Sequence, residues 1–320
     1  MNRNPWKGMF NIPSSNGMDY IYFCGNSLGL QPKDSISSVE DELDSWKNEG
    51  VLAHHQGSRP WFSYHELLTK EMASLVGAKD NEIVVMNSLT VNLHLLMISF
   101  YKPIGEKKAI IIEEGAFPSD IYAVKSHLRY NGLDPNEYLI TIPYSDPNNR
   151  IISTDSMLDS IDSFANKTAL VLLGGVNYYS GQVFDMEKIT KFAHSRDIVV
   201  GYDLAHAAGN IHLELHDWNV DFASWCGYKY LNGGPGAPSG VFIHSNNIIS
   251  SINRFEGWWG NDKDTRFEMN DNFLPIPTAE SWQISNPPIL SMAALKASLD
   301  IFYNIGFSKI LKVSNVLKSH

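Results

Sequence analysis

The sequence predicts an α/β fold, a mainly parallel seven-stranded sheet flanked by helices, and three observations support it. From residue 82 onward, short β-branched or aliphatic runs alternate with segments of helical periodicity, the pattern of repeated strand–helix units. The longest apolar runs, such as 169–173, are strand-sized and too short to cross a membrane. At 320 residues and 43% hydrophobic content, the chain can bury a large core.

Taken in order, residues 1–30 are irregular, with a short strand expected at 20–23 before the turn-prone 25–29. Ile36, Val39, Leu43 and Trp46 fall at helical spacing and predict a helix over 33–49; 64–76 repeats the pattern. Strand and helix then alternate: 83–86 with 91–100, 109–112 with 119–130, 139–142 with 154–164, and 169–173 with 186–194. Two further β-branched runs, 197–202 and 221–225, follow, and 240–243 reads as an edge strand. Residues 254–284 are aromatic, charged and irregular. Pro287-Pro288 then breaks the chain ahead of a helix over 289–303. The expected organisation is an N-terminal helical segment (1–80), a large domain (81–284) and the start of a smaller C-terminal domain (285–320) whose remainder is absent.

Composition excludes several function classes. Net charge is −10 with a pI near 5.5, and no Lys/Arg-rich run offers a nucleic-acid footprint. Cys24 and Cys226 are too few for a disulfide framework and lack metal-ligand spacing, which fits a reducing cytoplasm. No apolar core of signal-peptide length opens the chain. His206, His212 and His216 match no helical metal motif, so no metal is expected. The glycine loop 233–240 lacks Gly-Lys-Ser/Thr and does not suit a nucleotide.

The chemistry concentrates at strand ends, where open α/β sheets bind ligands. Asp203 closes one β-branched run, and Lys229 follows the next. Asp at a strand end commonly caps a helix and a lone Lys is commonly a surface charge. Lys229, however, lies between Tyr228 and Tyr230 and beside Trp225, company that is costly for an ammonium and natural for a lysine held as an imine. A carboxylate and a lysine so placed can hold the two ends of one pyridoxal phosphate ring, the acid on the pyridine nitrogen. A carboxylate about 4 Å from that nitrogen is worth roughly 4 kcal/mol at an effective dielectric of about 20. Asn87-Ser88-Leu89-Thr90-Val91-Asn92 follows a strand and opens a helix, so its free N–H groups and the Thr90 hydroxyl can bind a phosphate; Ser88 or Thr90 as a plain N-cap is the alternative. Gly115-Ala116-Phe117-Pro118-Ser119-Asp120 offers a stacking ring in Phe117 and an acid in Asp120. These sites, at successive strand ends, are expected to converge on one mouth of the sheet.

The chain resembles the kynureninases, pyridoxal phosphate enzymes of fold type I, across essentially its whole length. The blocks that carry the resemblance are Gly25-Asn26-Ser27-Leu28-Gly29-Leu30-Gln31-Pro32, Arg59-Pro60-Trp61, Leu89-Thr90-Val91-Asn92-Leu93-His94, Phe117-Pro118-Ser119-Asp120, Asp203-Leu204-Ala205-His206, His216-Asp217-Trp218, Tyr228-Lys229-Tyr230-Leu231-Asn232, Gly257-Trp258 and Ser285-Asn286-Pro287-Pro288. The resemblance implies a homodimer that hydrolyses the Cβ–Cγ bond of L-kynurenine or 3-hydroxy-L-kynurenine in tryptophan catabolism and NAD biosynthesis. It implies Lys229, Asp203 and Tyr228 as catalytic residues. The implied cofactor contacts are Leu89, Thr90, Phe117, Asp120 and His206, with Trp258 and Asn286 reaching a site across the dimer interface. Ser27, His54, Ser285 and Asn286 are implied substrate contacts, His54 with Asn286 resembling the branch that takes the 3-hydroxylated substrate. Three features depart from the family pattern. Gly174 stands where a hydroxyl residue is usual, Asn261 replaces a histidine, and an arginine-bearing small domain is expected beyond His320. Two alternatives remain at this point: a cofactor-binding chain without turnover, and a related fold-type-I lyase such as a cysteine desulfurase using Cys24 or Cys226.

Overall fold

The computed structural model describes residues 5–249 and 251–318. A seven-stranded sheet is formed by β1 (Ile83–Met86), β2 (Ala109–Glu113), β3 (Leu139–Ile142), β4 (Thr168–Gly174), β5 (Val199–Asp203), β6 (Phe222–Trp225) and β7 (Ser239–Ile243). Its order is β1-β7-β6-β5-β4-β2-β3. Neighbours pair in parallel except β7, which runs antiparallel to both β6 and β1. The strand expected at the edge is therefore interior, and β1 and β3 form the edges. The pattern of β7 fits this position, because Val241, Phe242 and Ile243 are all buried, as both faces of a central strand require.

Helices cover both faces. The helices are α1 (Ser35–Glu49), α2 (Glu66–Val76), α3 (Leu89–Phe100), α4 (Pro118–Tyr130), α5 (Thr154–Ser163), α6 (Met186–His194), α7 (Ile289–Ile305) and α8 (Phe307–Lys318). Successive strand residues point to opposite sides. Ile83 and Val85 enter a core built with α2, α5, α6 and α7, whereas Val84 and Met86 enter a second core built with α3 and α4. Met292, Leu295 and Leu299 of α7 belong to the first of these cores.

Two local expectations are corrected. Residues 20–23 form no strand, although Tyr20 N donates to Pro13 O at 2.8 Å; the strand lies just before them, Met18–Asp19 pairing with Ser14–Ser15. The apolar stripe of α1 meets the core only through half-buried Val39, since Ile36, Leu43 and Trp46 are 51%, 42% and 63% exposed. The buried residue in mid-helix is Glu42, whose carboxylate accepts hydrogen bonds from Trp61 Nε1 (2.8 Å) and Tyr64 Oη (3.0 Å) and pairs with Arg59 Nε (2.9 Å). The periodicity is helical, but apart from Val39 the side it marks faces away from this chain's own core.

Candidate active site

The carboxyl ends of the strands open into one cavity of about 430 Å³. Its walls come from successive strand ends: Ser88, Leu89 and Thr90 after β1, Glu113, Phe117, Ser119 and Asp120 after β2, Gly174 closing β4, Asp203 and His206 after β5, and Cys226, Tyr228 and Lys229 after β6. Convergence follows from topology, because parallel strands all deliver their loops to the same edge.

Lys229 is held from both sides. Its Nζ donates to His206 Nε2 at 3.0 Å and lies 5.9 Å from the centre of the Phe117 ring. Burial, and then the lysine charge beside it, push the His206 imidazole down to about 4, so the ring is neutral and able to accept that bond. The loop carrying the lysine is fixed by the N-terminal turn, where Gly29 N donates to Tyr228 O at 2.9 Å. A Cβ on Gly29 would lie 2.3 Å from Lys229 O, so only glycine permits this approach. The same turn brings Ser27 and Asn26 to the cavity wall.

At the other end sit the acids. Asp203 is buried at the tip of β5 and accepts the Ala205 N–H at 2.7 Å. Burial raises its carboxyl above the usual range, opposed by the Ala205 N–H, by a hydrogen bond with Asp120 and by the Lys229 charge. Asp120 is raised well above that range by burial and by the charge of Asp203 and its hydrogen bond, so the two acids titrate as a pair. Asp120 Oδ1 is buried without a partner.

The N-terminus of α3 faces the cavity with no side chain capping it: Ser88 occupies the cap position but makes no cap hydrogen bond. The plain N-cap alternative therefore does not hold, and the first N–H groups stay available for an anion. Thr90 Oγ1 lies 2.8 Å from Ser119 Oγ, which joins the starts of α3 and α4. Asn87, with φ of 46°, turns the chain into α3; its Nδ2 donates to Asn92 Oδ1 (3.0 Å), whose Nδ2 donates to Met86 O (2.9 Å).

Leu89, Thr90, Phe117, Asp120, Asp203, His206, Tyr228, Lys229 and Ser27 thus share one cavity. His54, Trp258, Ser285 and Asn286 do not line it. They fall in or beside a separate aromatic shelf, where His54 packs on Trp61 and Phe62 at 5.2 Å, Phe62 stacks on Trp259 at 5.5 Å, and Trp258 meets Phe267 edge-on at 5.4 Å. Ser285 and Asn286 follow Ile284, whose carbonyl accepts the Trp259 N–H at 3.4 Å. Asn261, the departure from histidine, secures this shelf: its Oδ1 accepts the Leu274 N–H at 2.7 Å. The glycine loop lines a different groove, of about 810 Å³, through Gly233, Gly234 and Pro235.

Glu113, Ser119 and Tyr178 line the cavity without having been expected there. Glu113 carried the same signal as Asp203, an acid closing an apolar strand. Cys226 is buried in the wall, and burial pushes its thiol up to about 11, leaving no thiolate for sulfur chemistry. His206, His212 and His216 meet three different partners, Lys229, Glu214 and Glu82. Glu82, His216 and His244 cluster, but Glu82 is engaged by Lys79 N, Ser245 N and His216, and His244 by Asn246 N and His216 O. That network ties segments together.

A strand-end lysine, an opposed buried acid and an open helix N-terminus on a mainly parallel sheet define a lysine-centred cofactor enzyme, and the Aminotransferase class-V family matches residues 21–320. The chain is 48% identical over 309 residues to a kynureninase of Myxococcus xanthus, covering 96% of this chain and 72% of that protein. It is likewise 48% identical over 316 residues to a kynureninase of Christiangramia forsetii, covering 98% and 74%. The chain belongs to the kynureninase family and spans about three quarters of the length of these relatives. Solved structures share the fold. A cysteine desulfurase of Thermococcus onnurineus superposes with a TM-score of 0.69 at 18% identity, covering 91% of this chain and 69% of that one. The cystine C-S lyase C-DES, in complex with its product cysteine persulfide, gives 0.72 at 17%, covering 89% and 72%.

The cofactor is pyridoxal 5′-phosphate, and the residues present fit it. The uncapped α3 N-terminus suits its phosphate, the Asp203 carboxylate suits its ring nitrogen, and Lys229 suits its aldehyde. No helix among the described residues is long and apolar enough to cross a membrane.

Proposed function

We propose that this chain uses water to cleave the Cβ–Cγ bond of L-kynurenine or 3-hydroxy-L-kynurenine, releasing anthranilate or 3-hydroxyanthranilate and L-alanine. The observation that carries this reading is a single cavity holding Lys229 on neutral His206, the buried Asp203–Asp120 pair and an open helix N-terminus, in a chain 48% identical to kynureninases. When bound, the cofactor supplies an aldehyde carbon for the substrate amine and a ring that withdraws electrons from the substrate.

The chain's own residues divide the remaining work. The first N–H groups of α3 and the hydroxyls of Thr90 and Ser119 bind the phosphate, and Phe117, 45% exposed, presents a face to the ring. Asp203 carries the charge that holds a proton on the ring nitrogen, while Asp120 keeps the proton that lets both acids share the site. Lys229 moves the proton at the substrate Cα. The neutral His206 orients that amine without adding a competing charge. Burial raises the Tyr228 phenol above its usual range, so it stays neutral and can offer its O–H as a hydrogen-bond donor in the cavity.

Ser27 stands at the cavity as a substrate contact, whereas His54, Trp258, Ser285 and Asn286 stand apart from it. That separation supports a homodimer in which Trp258 and Asn286 complete the partner's site. A cytoplasmic location belongs to the same proposal, in keeping with the unpaired Cys24 and Cys226. The test is incubation of the purified, cofactor-loaded protein with each kynurenine. Anthranilate-type fluorescence with equimolar alanine is expected. A bound-cofactor absorbance band with no product from either substrate overturns the hydrolase reading, and sulfide released from cysteine would favour a lyase.

A further inference from the structure

Two buried acids stand on either side of a glycine at the floor of the cavity. Gly174 ends β4, paired in register with Asp203 of β5. On its other side Glu113 ends β2, and its carboxylate accepts the Gly174 N–H at 3.2 Å through Oε1 and 3.4 Å through Oε2. A Cβ at position 174 would lie 3.1 Å from Glu113 Oε1 and 3.5 Å from Val176 O. A side chain there would ask the Glu113 carboxyl to give by a few tenths of an ångström. Glu113 is 3% exposed and has no cationic partner among its hydrogen bonds.

We propose that Glu113, held on the Gly174 N–H beside Asp203, is a positioning residue for the ring-nitrogen acid, and that its charge state sets how strongly Asp203 holds a cation at the ring nitrogen. The role rests on the cofactor reading above. Burial, with the Asp203 charge adding to it, pushes the Glu113 carboxyl up to about 7, against the two N–H groups that favour its charged form. The groups that act on it or share its surroundings are Asp203 of β5, Asp120 of α4, Tyr144 beyond β3, and Lys229 and His206 across the cavity. Below neutral pH the cavity floor carries the charge of Asp203 alone. Above it a second negative charge joins, and the proton affinity of a ring nitrogen held there rises.

The experiment is a pH titration from 5.5 to 8.5 of the absorbance of bound pyridoxal phosphate and of its dissociation constant, in wild type, Glu113→Gln and Glu113→Asp. Wild type is expected to show a step, displaced below 7 by the positive charge on the bound ring, that Glu113→Gln lacks. Cofactor binding by Glu113→Gln should match wild type below pH 6 and be weaker by on the order of tenfold at pH 8, the effect of one missing charge about 12 Å away at an effective dielectric of about 20. Glu113→Asp, which keeps the acid, should keep a step with a displaced midpoint and guards against a mere folding defect. Superimposable profiles for wild type and Glu113→Gln, or a step lost equally in Glu113→Asp, overturn the proposal while leaving the cofactor reading intact. Absence of any cofactor band in wild type overturns both.

Discussion

The cavity at the strand ends gathers three carboxyls, Glu113, Asp120 and Asp203, behind a sheet whose every neighbour is in place, whereas the shelf of His54, Phe62, Trp258, Trp259 and Phe267 leaves Trp258 39% and Phe267 52% exposed. In the cavity, polar groups are buried and tuned against one another. On the shelf, apolar rings face outward and the charges beneath them are paired: Glu280 meets His65 Nε2 and Lys263 Nζ, each at 2.8 Å. In the first kind of region one chain brings the buried acids and the lysine together. The second is the surface expected where another chain supplies the covering.

The largest test of this contrast is Lys229→Ala. Turnover should fall by at least about a thousandfold, the upper range for a lost acid–base group, with the cofactor band altered and the unfolding midpoint nearly unchanged. Trp258→Ala, which alters the partner's site in every dimer, should weaken cofactor binding yet leave the Lys229-dependent band at saturating cofactor. A band lost even at saturation would erase the distinction between the two regions.

The regions should also respond to pH with opposite sign. Glu113 rises from 4.5 to about 7 in the folded chain, so between those values the folded state binds the extra proton, and its contribution to stability is lost as pH rises through 7. Glu280 goes the other way: burial alone would raise it, but hydrogen bonds from His65 and Lys263 bring it down to about 2. Its contribution is present above 4.5 and lost as pH falls toward 2. Each amounts to about 3 kcal/mol at most. Urea midpoints of the cofactor-free protein should show a flattened neutral limb in Glu113→Gln and a flattened acid limb in Glu280→Gln. If one substitution flattens both limbs, the regions are coupled.

Smaller effects should follow from packing. Gly29→Ala places a Cβ 2.3 Å from Lys229 O and should cost about 1–3 kcal/mol, with weaker cofactor binding, because the turn and the lysine loop must separate. Trp258→Ala should cost the isolated subunit about 1 kcal/mol or less, yet shift sedimentation toward the monomer. An unchanged sedimentation profile would remove the shelf from the dimer interface.

Much of this was legible in the sequence. Strand and helix alternation located the sheet because each run is apolar on both faces, and the acid at 203 and the lysine at 229 announced themselves by sitting where such runs end. Other features were not legible. Nothing in the run 240–243 says whether a strand lies at an edge or between neighbours; that depends on β1, whose partner is remote in sequence. The stripe of α1 reads identically whether it faces its own core or another surface. Glu113 was missed for a different reason: an acid closing a strand reads as chemistry only where a lysine answers it, and its partners, the 174 N–H and Asp203, are far away in the chain.

The placement of β7 bears on the order in which the molecule can form. β1 pairs in the sheet only with β7, and β1 feeds the α3 N-terminus proposed to hold the phosphate. The strand made first must therefore wait for the strand made last, across more than 150 residues of intervening chain. Such non-local pairing is slow and leaves an unpaired apolar edge exposed meanwhile. A nascent chain should thus bind the cofactor only after residue 243 has emerged, making cofactor capture a late report on complete folding rather than an early aid to it.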